Sequence, residues 1–516
     1  MAGGVVALAT GPSRGFSRGF DSNPSPACYA TGMTDRPSPL GNPEHPLELS
    51  AHTMRAMVEQ AMARIIPHIE SLPDQPAADT SGGEALARSL REPIPQQGQP
   101  FETLFDDIFR ITRTSFTASG PGYLAYIPGG GLFHAAVADL IADAINRYVG
   151  VWAAAPGLAQ LEANVIRWFC DMVGYPASAG GFLTSGGSLA NLSAVVTARR
   201  THLADDFLRG TIYTSNQVHH SVLKAALLAG FPTGNIRSVP VDEDFRMRLD
   251  ALADRIAVDR REGYQPFLVV GSAGTTNTGA VDDLTALADI AGRENMWFHA
   301  DAAYGGFFVL TDRGRQRLAG LERADSLSLD PHKGLFVPYG TGSLLVRDRE
   351  LLARAHGVSA DYMPAIQHHD DDLVDFCEIS PELSRPFRGL RVWLPIKMHG
   401  IDVFARALDE KLDLSHWITD QLERVDGLEI LARPQLTVTA FRVMRPGWSV
   451  DEANSATRAL LDAVNRRRRV YLTGTMLDER FVIRICVLSF RTHQDRMEMC
   501  LEDIVEAMDD MTLERT

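Results

Sequence analysis

Cysteine is scarce and scattered: five residues, Cys28, Cys170, Cys377, Cys486 and Cys500, occur in a chain of 516, with no CxxC pair. That excludes a disulfide-stapled fold and a cysteine-based zinc site, and it fits a reducing, cytoplasmic setting. Long apolar runs are also lacking. The piece Val5–Ala9 is too short to cross a bilayer and has no basic residue before it, so neither a membrane helix nor a signal peptide is expected. Positive charge is in deficit: 50 Lys and Arg against 65 Asp and Glu leave a net −15. Nucleic acid is therefore not an expected partner, because gripping phosphate backbones takes dense Lys and Arg. The single basic run, Arg466 to Arg469, closes an amphipathic stretch from Ser455 to Val464 and reads as a solvated helix end.

What is present is the composition of an ordinary globular enzyme, with 45% hydrophobic and 22% charged residues. The length calls for two or three domains. Residues 1–44 are rich in Gly, Ser and Pro without apolar periodicity and read as a disordered extension, with Met33 a candidate natural start. Residues 45–133 carry two amphipathic helical patterns, from Leu49 toward Ile69 and from Phe101 to Ile111, separated by a polar linker, Ser71 to Gln99. Residues 134–392 alternate helices with short apolar strands. The strands are expected at Gly181–Thr184, Thr211–Thr214, Ile236–Val239, Phe267–Gly271, Trp297–Ala300, Ser326–Leu329 and Gly342–Val346, with helices at Leu189–Leu203, Val222–Ala229 and Leu284–Ala291. Such alternation predicts an α/β fold with a mainly parallel seven-stranded sheet, whose sites lie at the carboxyl ends of the strands. Residues 393–516 read as a smaller α+β domain, with strands at Gln435–Val443 and Phe481–Val487 and a closing helix at Gln494–Met508.

The chemistry gathers at those strand ends. Ser326-Leu327-Ser328-Leu329 alternates as a strand does, and Asp330-Pro331 breaks it, so Lys333 stands just past a sharp turn, behind His332. A second strand, Trp297 to Ala300, delivers Asp301. A lysine and an aspartate on neighbouring strand ends suit pyridoxal phosphate: the amine takes the aldehyde as a Schiff base, and the carboxylate keeps the pyridine nitrogen protonated. Ser185-Gly186-Gly187-Ser188 joins a strand to a helix, where close backbone approach and free N–H groups favour a phosphate. His219, opening a helix, could stack on a flat ring or cap that helix, and Thr276 lies in a small polar loop after an apolar strand.

In order and topology these segments resemble the group II pyridoxal phosphate-dependent decarboxylases, the family of aromatic-L-amino-acid and glutamate decarboxylases. Asp330-Pro331-His332-Lys333 is close to a family signature, and His299 to Gly306 matches the family's aspartate strand. Gly122 to Pro128, Trp152 to Pro156 and Leu161-Glu162 look most like the aromatic branch. The resemblance runs from about Leu49 to the C-terminus.

It implies a transferase fold of type I and a homodimer with shared sites, in which residues 45–133 wrap the partner and residues 134–392 bind the cofactor. It further implies that Lys333 bonds the cofactor, Asp301 pairs with its ring nitrogen, His219 and Ala303 flank the ring, Gly187 and Ser188 hold the phosphate, and Thr276 and His332 complete the lining. Tyr126, Ile127 and Pro128, with Ser384 and Arg385, would border the substrate, and Tyr362 would be the acid that returns a proton. The activity implied is decarboxylation of an aromatic L-amino acid (tyrosine or dopa, phenylalanine, or tryptophan) to its amine, with Ser384 favouring phenols. Aldehyde synthesis, a non-aromatic substrate and aminotransfer are the alternatives. Gly334 stands where the aromatic branch often has a large aromatic. No metal is expected: His368-His369-Asp370-Asp371-Asp372 reads as a solvated loop.

Overall fold

Seven short runs pair into one sheet: β1 (Gly180–Thr184), β2 (Gly210–Ser215), β3 (Ile236–Val239), β4 (Gln265–Ser272), β5 (Trp297–Asp301), β6 (Ser326–Leu329) and β7 (Gly342–Val346). The computed structural model describes residues 45–357 and 373–513. The expected extension 1–44 with Met33, the acid Tyr362 and the loop at 368–372 lie outside the described residues. Each of these seven strands read from the sequence is present within two residues of its expected ends.

The strand order is β1-β7-β6-β5-β4-β2-β3. The pairings β2–β3, β2–β4, β4–β5 and β5–β6 are parallel, and β7 runs antiparallel to both neighbours. Most of these strands are buried along their whole length, as a sheet covered on both faces requires. On β5, Phe298 and Ala300 point into one apolar core, while Trp297 belongs to the core on the opposite face. Side chains alternate along a strand, so Trp297, His299 and Asp301 share that opposite face. β6 pairs in register with it, setting Ser326 beside His299 and Ser328 beside Asp301.

The helices are α1 (Ala51–Glu70), α2 (Phe101–Thr112), α3 (Phe133–Ile145) and α4 (Pro156–Met172) before the sheet, and α5 (Gly187–His202), α6 (His220–Leu228), α7 (Leu249–Arg261) and α8 (Leu284–Glu294) between its strands. The chain divides into two units inside α1, after Ala63. In the first, the Ser50 hydroxyl accepts from Thr53 N at 3.1 Å and caps the helix start. The stretch expected as a linker holds a short helix, Gly83–Ser89, and a two-residue ribbon pairing Ala78–Asp79 with Ser115–Phe116.

Past the sheet come α9 (Gly389–His399), α10 (Ile401–Leu422), α11 (Val450–Arg466) and α12 (Gln494–Leu513). They accompany an antiparallel sheet of β8 (Leu428–Ala432), β9 (Val438–Val443), β10 (Thr473–Leu477) and β11 (Arg480–Cys486), in the order β8-β9-β11-β10. The sequence reading found β9 and β11 but not β8 and β10, which are five residues each and only partly buried. The basic run is not simply solvated. Arg467 pairs with Glu506 and Asp510 and Arg469 with Glu502 and Asp503, all on α12, while Arg468 pairs with Asp79 of the two-residue ribbon.

Candidate active site

Three strand ends and two helix starts converge on a cavity of about 400 Å³. The strand ends of β5 and β6 deliver Asp301 and the Asp330–Lys333 turn. The junction of β1 and α5 delivers Ser185, Gly186, Gly187 and Ser188, the start of α6 delivers His219, and the loop after β4 delivers Thr275 and Thr276. Ala303, Tyr304 and His332 complete much of the wall.

The lysine is held by its own turn. Pro331 opens a single helical turn after Asp330, so residues three apart face each other, and Lys333 Nζ lies 2.7 Å from Asp330 Oδ2. His332 bonds the Thr341 carbonyl through Nδ1 at 2.5 Å, and its backbone carbonyl accepts from Gly130 N at 2.8 Å. Burial holds the His332 imidazole below its usual range, with Asp330 opposing and Lys333 reinforcing that shift.

Asp301 is buried and accepts from Asn191 Nδ2 at 3.1 Å, Ser328 Oγ at 3.1 Å and Ala303 N at 3.3 Å. His219 caps α6, its Nδ1 accepting from Ser221 N at 3.2 Å. Its ring is open to the cavity and crowded elsewhere; that desolvation lowers its pKa, Asp301 opposing and Lys333 reinforcing.

The glycine junction offers an anion seat. The first N–H groups of α5 have no partner within the helix, and its dipole points positive there. A Cβ on Gly187 would meet Ala303 Cβ at 3.1 Å and Asp330 Oδ2 at 3.2 Å, so glycine keeps that space open. Asp330 Oδ1 is buried without a hydrogen-bond partner among the described residues. An anion seat, a carboxylate and a lysine around one flat space fit pyridoxal phosphate.

The residues expected at the cofactor, Gly187, Ser188, His219, Thr276, Asp301, Ala303, His332 and Lys333, therefore stand together. Those expected at the substrate do not line this cavity. Tyr126 is half exposed, and its segment is tied to the Thr276 loop by Arg484, whose guanidinium bonds the carbonyls of Tyr126, Thr276 and Asn277. Ile127 is partly buried, Pro128 is buried and Ser384 is exposed. Arg385 is enclosed, paired with Glu162 at 2.5 Å, bonded to the Leu183 carbonyl and stacked over Phe376. Gly334 faces the core: a Cβ there would lie 2.7 Å from Phe307 Cβ, so it leaves no room for an aromatic. Sequence reading gave no role to Asn191, Ser221, Ser328 or Asp330. Asn191 is four residues past Gly187 and so shares its helix face, which was the available signal.

Residues 84–444 match the pyridoxal-dependent decarboxylase conserved domain. The chain is 36% identical over 453 residues to the aromatic-L-amino-acid decarboxylase of Bacillus atrophaeus, covering 87% of this chain and 94% of that protein. It is 27% identical over 434 residues to tryptophan decarboxylase 2 of Oryza sativa subsp. japonica, covering 81% and 87% of the two. Among solved structures it superposes on Oryza sativa TDC with PLP and tryptamine with a TM-score of 0.84 and 26% identity, covering 90% of this chain and 99% of that one.

Proposed function

The chain belongs to the pyridoxal-dependent decarboxylase family, and from that premise we propose that it converts an aromatic L-amino acid to its amine and carbon dioxide. The observation that carries this reading is the placement of Lys333 and Asp301 on adjacent strand ends around one cavity, with the start of α5 beside them. When bound, pyridoxal phosphate supplies an electron sink for the pair released as carbon dioxide leaves.

The protein's part is positional. Lys333 would hold the cofactor's aldehyde through its side-chain amine. Asp301, kept in place by three donors, holds a proton on the ring nitrogen. Gly187 and Ser188 seat the phosphate through backbone N–H groups. His219 and Ala303, which line the cavity, would bound the two faces of the ring, and Thr276 and His332 would close the lining. Tyr362 returns the proton to Cα, a task that needs a positioned acid. Tyr126, Ile127, Pro128, Ser384 and Arg385 border the substrate, either directly or as support for residues that do.

The aromatic class is supported by the 36% identical Bacillus atrophaeus relative, named for that activity. A homodimer with residues 45–133 on the partner belongs to the same reading, as do the cofactor domain at 134–392 and the smaller domain at 393–516. A cytoplasmic setting is supported by the free state of Cys170, Cys377, Cys486 and Cys500. No helix among the described residues is long and apolar enough to cross a membrane. The test is a panel of L-amino acids supplied to the loaded protein, with carbon dioxide, amine, aldehyde and peroxide measured together. Amine from tyrosine, dopa, phenylalanine or tryptophan is expected. Turnover confined to glutamate, aspartate or diaminobutyrate would reject the aromatic reading, and aldehyde with peroxide would reject simple decarboxylation.

A further inference from the structure

Behind Asp301 runs a chain of buried hydrogen bonds whose donors can be assigned. Trp297 Nε1 is a donor only, and it gives its proton to Ser326 Oγ at 2.8 Å. Ser326 Oγ also lies 2.8 Å from His299 Nδ1, and His299 Nε2 lies 3.0 Å from Asn191 Oδ1. Asn191 Nδ2 reaches both Asp301 Oδ2, at 3.1 Å, and Ser221 Oγ, at 2.9 Å. Ser221 then meets His219 Nδ1 twice, through Oγ at 2.7 Å and through its backbone N at 3.2 Å.

The carboxylate fixes the direction. An ionised Asp301 accepts only, so the Asn191 atom facing it must be the NH2 group; turning the amide over would set its oxygen against the carboxylate. Asn191 Oδ1 then faces His299 and accepts from an Nε2–H. His299 Nδ1 is left as an acceptor for the Ser326 hydroxyl. At the other end, the Ser221 backbone N–H requires a lone pair on His219 Nδ1, so the proton of that ring is on Nε2. Asn191 and His299 are both almost completely buried, so no water competes for these bonds.

We propose that Asn191 is a positioning residue for the cofactor ring: locked by His299, its amide ties the carboxylate under the ring nitrogen to the Ser221–His219 pair, so that carboxylate and stacking imidazole are aligned as one unit. This rests on the reading of Asp301 and His219 given above. His299 and Ser326 act through Asn191 and touch no reactant. Asn191 sits one turn into α5, whose first turn seats the phosphate, so one helix sets the cofactor at both ends.

The test is a double-mutant cycle on the cofactor itself, read by the dissociation constant of pyridoxal phosphate and the visible absorbance of the loaded protein. Asn191→Leu keeps the branching of the side chain and removes both donors; a roughly 10- to 100-fold rise in the dissociation constant is expected, the size of a lost bond to a charged group. A changed absorbance maximum should accompany it. In an Asp301→Asn background the same substitution should add less than about threefold, because the charge that the Asn191 amide positions is gone. Additive effects would overturn the proposal, as would unchanged affinity and absorbance in Asn191→Leu. Asn191→Asp is the second variant should the leucine fail to fold: it is isosteric and sets an acceptor against Asp301, so cofactor affinity as high as the parent's would overturn the proposal too. If Asp301→Asn alone leaves affinity and absorbance unchanged, the reading of Asp301 fails, and the proposal with it; additivity with an effective Asp301→Asn strikes the proposal alone.

Discussion

Lys333 Nζ lies 2.7 Å from Asp330 Oδ2, an ion pair formed within one helical turn and largely out of water. Removing one member of an enclosed pair strands the other charge, and the cost exceeds what the pair contributes. Asp330→Ala is expected to lower the unfolding free energy of the cofactor-free protein by about 2 kcal/mol, less than for a fully buried pair because Lys333 keeps some solvent contact. Adding Lys333→Met should recover about half of that loss. Urea unfolding of the two variants checks it; a single variant as stable as the parent would show that the pair is not worth its geometry.

Gly187 separates cofactor binding from folding. A methyl group there would press on Ala303 and Asp330 inside the cavity, yet the residue opens a helix, where alanine is favoured over glycine by less than the about 1 kcal/mol of a helix interior. Gly187→Ala should therefore raise the dissociation constant of pyridoxal phosphate about tenfold while leaving the cofactor-free protein as stable or slightly more so. Titration followed by cofactor absorbance, beside thermal unfolding without cofactor, reads the two effects. A loss of both together would mean that the methyl group disturbs the fold rather than the seat.

Much of this cavity was legible because its lining residues stand at or within a few residues of the ends of apolar strands, and a parallel sheet sends those ends to one edge. The buried support was harder to see. Alternation of serine and leucine in β6 ordinarily signals a strand with one wet face. Here Ser326 and Ser328 are fully buried, because their face meets His299 and Asp301 across the parallel register. In the sequence Gly334 reads only as standing where the aromatic branch often has a large aromatic; what the sequence does not show is that it faces Phe307, where a Cβ has no room. Arg385 and Glu162 are far apart in sequence, and no local pattern announces that they pair.

That pair makes a third prediction. Glu162 accepts from Gly389 N at 3.0 Å and holds the Arg385 guanidinium, whose Nε and Nη1 have no hydrogen-bond partner among the described residues. Neither side chain has solvent contact. Glu162→Ala should cost about 3–5 kcal/mol, with the double variant Glu162→Leu, Arg385→Met far less damaging. Chemical denaturation decides between this and a smaller loss of under about 1 kcal/mol, the size expected of a hydrated pair.

Acid should destabilise the cofactor-free protein, and the sign follows from which groups burial shifts. Burial holds His299 well below the ordinary 6.5, with Asp301 opposing, and holds His356 down at about 4. Between 6.5 and about 4 the unfolded chain takes up protons that these folded imidazoles refuse, so their stabilisation, complete above 6.5, is lost as pH falls, at about 1.4 kcal/mol per pH unit for each proton. Asp282 works the other way. Burial pushes it from 3.8 up to about 6, despite the N–H groups of Ser272 and Met247, so the folded state gains a proton first and is stabilised as pH falls across that interval. Two histidines against one aspartate leave a net loss toward acid. Five more histidines at the described positions, His134, His202, His219, His332 and His416, are shifted the same way as His299. Asp139 and Asp325 side with Asp282. Unfolding free energy measured from neutral pH down to about 4 should therefore decline, and decline more steeply in Asp282→Asn, where the offset is removed. A flat profile, or an unchanged slope in that variant, would mean that the imidazoles and carboxyl named here do not carry the shifts their burial implies.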